Sequence, residues 1–129
     1  MKQHLDINFA DERGTIRDIF VANPKDHCSI ITFSENAVRA NHFHKESTQY
    51  TYVIDGELVM ATQVVDADGE PIGALEKVVL GAGDLVTHRP FHAHAFRASK
   101  PSTILAFADG TRGGNEYEKD VFRLKASLV

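Results

Sequence analysis

Nowhere in this chain do apolar residues keep a helical period for three turns; short runs of β-formers are instead cut repeatedly by Gly, Pro, Asp and Asn. Residues 11–14 read as a turn leading into a β-rich run over 15–21. A second turn follows at Asn23-Pro24, and residues 28–33 read as a buried strand. A further strand is expected over 37–44. The clearest element is two β-rich runs, 49–54 and 57–65, separated by Asp55-Gly56, which predicts a tight hairpin because a type I′ turn needs positive φ at both central positions. Residues 75–80 and 85–89 flank a Gly-Ala-Gly-Asp turn. Residues 94–98 and 102–108 flank a turn at Lys100-Pro101. Residues 110–115 read as a loop before a last segment over 121–124. The pattern predicts one all-β domain over 1–129, low in helix and built as a sandwich or barrel.

Composition narrows the partners. At 129 residues a single core is sustainable. Eighteen acidic against fourteen basic residues give a net charge of −4, which argues against a nucleic-acid protein relying on a basic surface. The longest apolar run, Ile104 to Ala108, is too short to span a membrane, and the first residues carry no apolar stretch of signal-peptide length, so cytoplasm is the expected compartment. The single cysteine, Cys28, excludes an intrachain disulfide and is expected to be a small buried residue.

Histidine is the unusual component. Five of the seven fall between His42 and His94. His42 and His44 are one residue apart in a β-prone stretch, so alternation puts both imidazoles on one face and Phe43 on the other. A second group, His88, His92 and His94, surrounds Arg89-Pro90-Phe91, and a barrel could bring its strand beside the first. Converging imidazoles suit a divalent transition metal such as Zn, Ni, Fe, Mn or Cu. His4 and His27 fit no spacing and are expected to be ordinary surface residues.

These residues resemble the two motifs of the cupins, and among them the RmlC-like cupins. The first cupin motif is Gly, five residues, His-x-His, three or four residues, Glu, six residues, Gly. Here Asn36 is followed by His42-Phe43-His44, Gln49 and Gly56 at those spacings. In the second motif a Gly precedes the third metal-binding His by eleven residues, and Gly83 stands so before His94, with Pro90 between; the family's final Asn falls on Ala98. The motifs span about 36–56 and 83–98. The resemblance implies a single-domain double-stranded β-barrel of jelly-roll type with a metal held by His42, His44, His94 and Gln49. Gln49 replaces the family's carboxylate by a neutral carboxamide, so the site would keep the full positive charge of its metal. Glu46, two residues beyond His44, is the alternative fourth ligand. Family analogy also implies a homodimer.

A shorter likeness points to chemistry. Arg39, with Asn41-His-Phe-His-Lys45 after it, and the Asp11-Glu-Arg-Gly14 entry resemble segments of sugar-nucleotide 3,4-ketoisomerases and related capsule-sugar cupins. In those enzymes the two histidines shuttle protons and a tyrosine assists, which here implies His42 and His44 with Tyr52 or Tyr50. Arg39, Lys45 and Arg97 are candidates to hold a diphosphate. Phe91, His92 and Phe96 are expected near the barrel mouth. Three functions stay open: a metal-binding cupin acting on a carbonyl- or sugar-like small molecule as an isomerase or oxygenase, a metal-free sugar-nucleotide ketoisomerase or epimerase, and a ligand-binding module without turnover.

Overall fold

The computed structural model describes residues 1–110 and 118–129. Two long strands organise it. β6 (Thr48–Val64) and β9 (His92–Asp109) lie antiparallel along their whole lengths, from Thr48 opposite Asp109 to Val64 opposite His92. The remaining strands, numbered along the chain, are β1 (Lys2–His4), β2 (Phe9–Asp11), β3 (Gly14–Ile16), β4 (His27–Phe33), β5 (Val38–Phe43), β7 (Glu76–Gly81), β8 (Asp84–His88) and β10 (Phe122–Arg123). The first half of β6 pairs β8 and its second half pairs β7; the second half of β9 pairs β4 and its first half pairs β5. Two sheets result, β1-β8-β6-β9-β4 and β7-β6-β9-β5-β10, sharing β6 and β9. This is the jelly-roll arrangement expected of the sequence, with β2 and β3 forming a separate ribbon.

The Asp55-Gly56 hairpin does not form. Only Gly56 has positive φ, at 101°, whereas a type I′ turn needs two such residues. The chain therefore turns a corner instead of reversing, and the ladder to β9 shifts register at each step between Val53 and Leu58. A Cβ on Gly56 would stand 2.6 Å from the Ser102 Cα, so only glycine fits where the two long strands cross from one sheet to the other. The Lys100-Pro101 turn is absent for the same reason. Pro101 sits in β9 at the corner, where pairing is already interrupted and its missing N–H costs nothing.

Between the sheets lies one core. Val53, Val86, Ile104 and Phe33 from the first sheet pack on Leu58, Met60, Leu80 and Phe96 from the second. Each sheet's outer face is covered by a terminal segment. Leu5, Ile19 and Phe20 lie over Tyr50, Tyr52, Leu85 and Phe107; Phe122, Leu124 and Leu128 lie over Phe43, Val65 and Ala93. The β-run expected over 15–21 is thus mostly a covering segment, with only its first residues in β3. β4 is also not the buried strand expected. Among the described residues it pairs with β9 alone, and it alternates, so Ile30 is 69% exposed and Cys28 lies at the surface. The candidate loop over 110–115 lies outside the described residues beyond Gly110.

Candidate functional site

Cross-strand register explains why the histidines meet. In the first sheet His27, Ala108, Gln49 and His88 are direct neighbours across β4, β9, β6 and β8. In the second, His42, His94, Thr62 and Glu76 are neighbours across β5, β9, β6 and β7. Facing rungs at one end of the sandwich therefore carry most of the chain's imidazoles.

A backbone irregularity aims His42. Ala40 and Asn41 adopt φ of 68° and 60°, and between Ala40 and His42 two residues of β5 oppose one step of β9. This is a bulge. Strict alternation would turn Arg39 inward and His42 outward; the extra residue lets both line one cavity. Asn41 offsets the strain by anchoring the C-terminal segment, donating to the Ala126 carbonyl at 3.2 Å and accepting from the Leu128 N–H at 3.0 Å. Phe43 faces outward as alternation requires and stacks on Phe122.

His42, His44 and His94 bring their donor nitrogens within 4.8 Å of one another, and all three are buried. His44 Nδ1 lies 2.8 Å from the Asp120 carbonyl oxygen, and His94 Nδ1 lies 3.1 Å from that of His92. A carbonyl only accepts, so both Nδ1 atoms carry the proton and Nε2 is the basic nitrogen of each neutral ring. His88, fully buried, stacks on His94 with ring centroids 4.1 Å apart, and its Nε2 lies 2.9 Å from Thr51 Oγ1. Burial, reinforced by the neighbouring imidazoles, pushes His42 down to about 3 and holds His88 and His94 well below the usual histidine range. Burial also lowers His44, against the opposing pull of the Asp120 carbonyl. The cluster is neutral at physiological pH.

Over it lies a cavity of about 350 Å³. Its existence follows from side-chain size: along β9 the inward series runs Ile104, Ala106, Ala108, and β4 adds Ser29, so the space narrows towards the core and widens towards His42 and His94. Gln49, Thr51 and Phe96 also line it, and Arg39 stands at its exposed side. Arg39 is partly committed, donating from Nε and Nη2 to the Thr32 carbonyl and covering the Phe33 ring. No carboxylate lines this cavity among the described residues.

Other candidates lie elsewhere. Tyr52 points to the outer face of the first sheet, among Leu5 and Leu85, and its hydroxyl accepts from Arg17 Nη1 at 3.2 Å. Tyr50 is on the same face and donates to Asp109. Lys45 covers Phe122 outside the second sheet, and Arg97 is exposed. Phe91, with φ of 63°, packs on Phe43 outside the second sheet and reaches the site only through its N–H, which donates to the His44 carbonyl at 2.7 Å. His92 lines a separate cavity of about 430 Å³ on the opposite flank, with His88, Thr62 and Glu76. Glu46 is exposed on the turn after His44. Two residues were missed by sequence reasoning. His27, expected at the surface, lines the cavity in the row of Gln49. Asp120 carries no local signal, since its partners are more than seventy residues away.

Comparison with known proteins agrees with this architecture. The cupin family profile matches residues 13–128, and the chain belongs to the cupin family. No curated protein matches the sequence. Among solved structures, dTDP-4-dehydrorhamnose 3,5-epimerase from Sulfolobus tokodaii superposes with a TM-score of 0.75 at 20% identity, covering 94% of this chain and 74% of that one. QdtA, a sugar 3,4-ketoisomerase from Thermoanaerobacterium thermosaccharolyticum in complex with TDP, gives 0.76 at 15% identity, with 97% and 88% covered. NovW, a 4-keto-6-deoxy sugar epimerase of Streptomyces spheroides, gives 0.70 at 18% identity, with 85% and 63% covered. At these identities the likeness establishes the fold. No helix among the described residues is long and apolar enough to cross a membrane.

Proposed function

We propose that this cupin binds a keto sugar carried on a nucleoside diphosphate and moves a proton between adjacent carbons of the sugar. The observation that carries the reading is a single cavity joining a neutral histidine floor to a side where Arg39 is exposed and where no carboxylate among the described residues lines the wall. The sugar ring fits the space over Ala106 and Ala108, and the diphosphate lies towards Arg39. His42 lines the cavity and takes the base's role. His44, its ring centroid 4.8 Å away, takes the acid's. Burial holds both imidazoles unprotonated at rest, so His42 is free of a proton when it takes the one beside the sugar carbonyl. His42, now an imidazolium, shares that proton with His44, and the pair returns it to the neighbouring carbon of the enediol. Fold-level likeness to sugar epimerases and a ketoisomerase supports the substrate class.

Donor spacing favours a second reading at the same site. His42, His44 and His94, with the Gln49 carboxamide as a fourth donor, fit a divalent transition metal, and the two Nδ1–carbonyl contacts pre-orient imidazoles for one. A bound metal would polarise the substrate carbonyl as a Lewis acid.

Thermal shift with thymidine or uridine diphosphate tests the substrate class, with inorganic phosphate as control. Stabilisation by the nucleotides alone is expected, and no response to either nucleotide overturns the reading. Elemental analysis of protein purified without tag or chelator separates the two chemistries. His94→Ala should abolish metal uptake under the second reading and leave a metal-free isomerase largely intact under the first.

A further inference from the structure

One acidic residue outside the cavity grips the His-x-His segment from behind. Asp120 uses both of its acceptor groups there. Its main-chain carbonyl takes the His44 Nδ1–H at 2.8 Å. Its carboxylate accepts the N–H of Lys45 at 2.9 Å, of Glu46 at 3.2 Å and of Ser47 at 2.8 Å, together with the Ser47 hydroxyl at 2.6 Å. Burial alone would raise this carboxyl, but the hydrogen bonds from Ser47, Lys45 and Glu46 prevail and hold it below the usual range. Among the described residues of this segment no other adds a comparable polar grip on the turn: β10 pairs Phe122 with Phe43 and Arg123 with His42, and Phe122 meets the segment through its ring.

We propose that Asp120 is a positioning residue that sets the tautomer and ring orientation of His44. Its carboxylate locks residue 120 against the turn that follows His44, and that lock aims the carbonyl at Nδ1. With Nδ1–H so engaged, Nε2 is the basic nitrogen of the ring, the one whose lone pair can take a proton or a metal ion. The inference concerns the site of the preceding section and serves either chemistry, but its first readout depends on neither.

The test compares Asp120→Ala with the native protein and with Phe122→Ala, which weakens the same segment without touching a polar partner of His44. Long-range ¹H–¹⁵N spectra of the imidazoles in metal-free protein report the tautomer directly. The native protein and Phe122→Ala should show His44 as the Nδ1–H form, and Asp120→Ala should show a mixture or the Nε2–H form. Titration with Co²⁺ should show a tenfold or greater loss of affinity in Asp120→Ala, the usual effect of removing such a support. Should Asp120→Ala not fold, Asp120→Asn keeps one acceptor oxygen but sets an amide N–H₂ against the Ser47 donors, and a smaller change of the same sign is expected. An unchanged His44 tautomer in the folded variant, or an equal change in Phe122→Ala, overturns the proposal. A native protein that binds no Co²⁺ refutes the metal reading alone, because the tautomer measurement stands without it.

Discussion

The two ends of the sandwich interior are built on the same strands by the same alternation, and they hold opposite chemistry. At one end Val53, Leu58, Leu80 and Ile104 interdigitate, each 0–2% exposed. At the other, Ala106 and Ala108 replace large side chains on β9, and His42, His44, His88 and His94 replace aliphatic ones. The difference teaches where stability and function were placed. The packed end supplies burial at about 25 cal/mol per Å² of apolar surface, while the histidine end leaves a void and buries imidazoles that resist protonation more than they would in water.

Breaking the packed end should give the largest effect. Leu58→Ala should cost about 2–5 kcal/mol in chemical denaturation, because the fully buried side chain is held between the corner before it and the regular ladder after it, which limits collapse into the space left. A change near zero would mean that the packed end does not carry the fold.

Acid should act on the other end. All four clustered imidazoles have folded values below the ordinary 6.5. Above pH 6.5 both folded and unfolded chains hold them neutral. As pH falls from 6.5 towards 3, the unfolded chain takes up protons that the folded one refuses, so stability is lost by up to about 1.4 kcal/mol per pH unit for each group. Among the described residues, the loss between pH 6.5 and about 4 belongs to the histidines, because the carboxylates held low, Asp11, Asp84 and Asp120, titrate further down. Denaturation of chelator-treated protein across this range should show the slope, and His42→Gln should flatten it. An equal slope in the variant would remove His42 from the explanation.

The void itself can be filled. Ala106→Leu should weaken the response to nucleoside diphosphate at least tenfold, read by calorimetric titration, while the fold is retained. Undiminished binding would place the ligand elsewhere. The smallest effect belongs to the control, Cys28→Ser on the exposed face of β4, which should stay within about 0.5 kcal/mol.

What the sequence made legible was local. Strand positions over 75–80 and 85–89 and the shared face of His42 and His44 followed from alternation and turn residues, and the convergence of His94 on them from the likeness to the cupin motifs. The Asp55-Gly56 corner was misread because the dipeptide specifies one left-handed residue with certainty, and whether a second follows is decided by the partner strand, here Ser102. Tyr50 and Tyr52 alternate with Gln49 and Thr51, so placing Gln49 inward already turned both tyrosines away. His27 could not be placed without knowing that β4 pairs β9 at Ala108, and Asp120 could not be found without the C-terminal segment's path across the second sheet.

The shared long strands also bear on the order of assembly. Thr48 must find Asp109, and His44 must find Asp120, before either neighbourhood is complete. Such distant pairings place the chain among slow, high-contact-order folders, with relaxation expected in milliseconds to seconds. β6 cannot finish one sheet without starting the other, so the β6–β9 ladder is the natural nucleus. The histidine end, which needs Asp120 and the segment after it, is expected to close last.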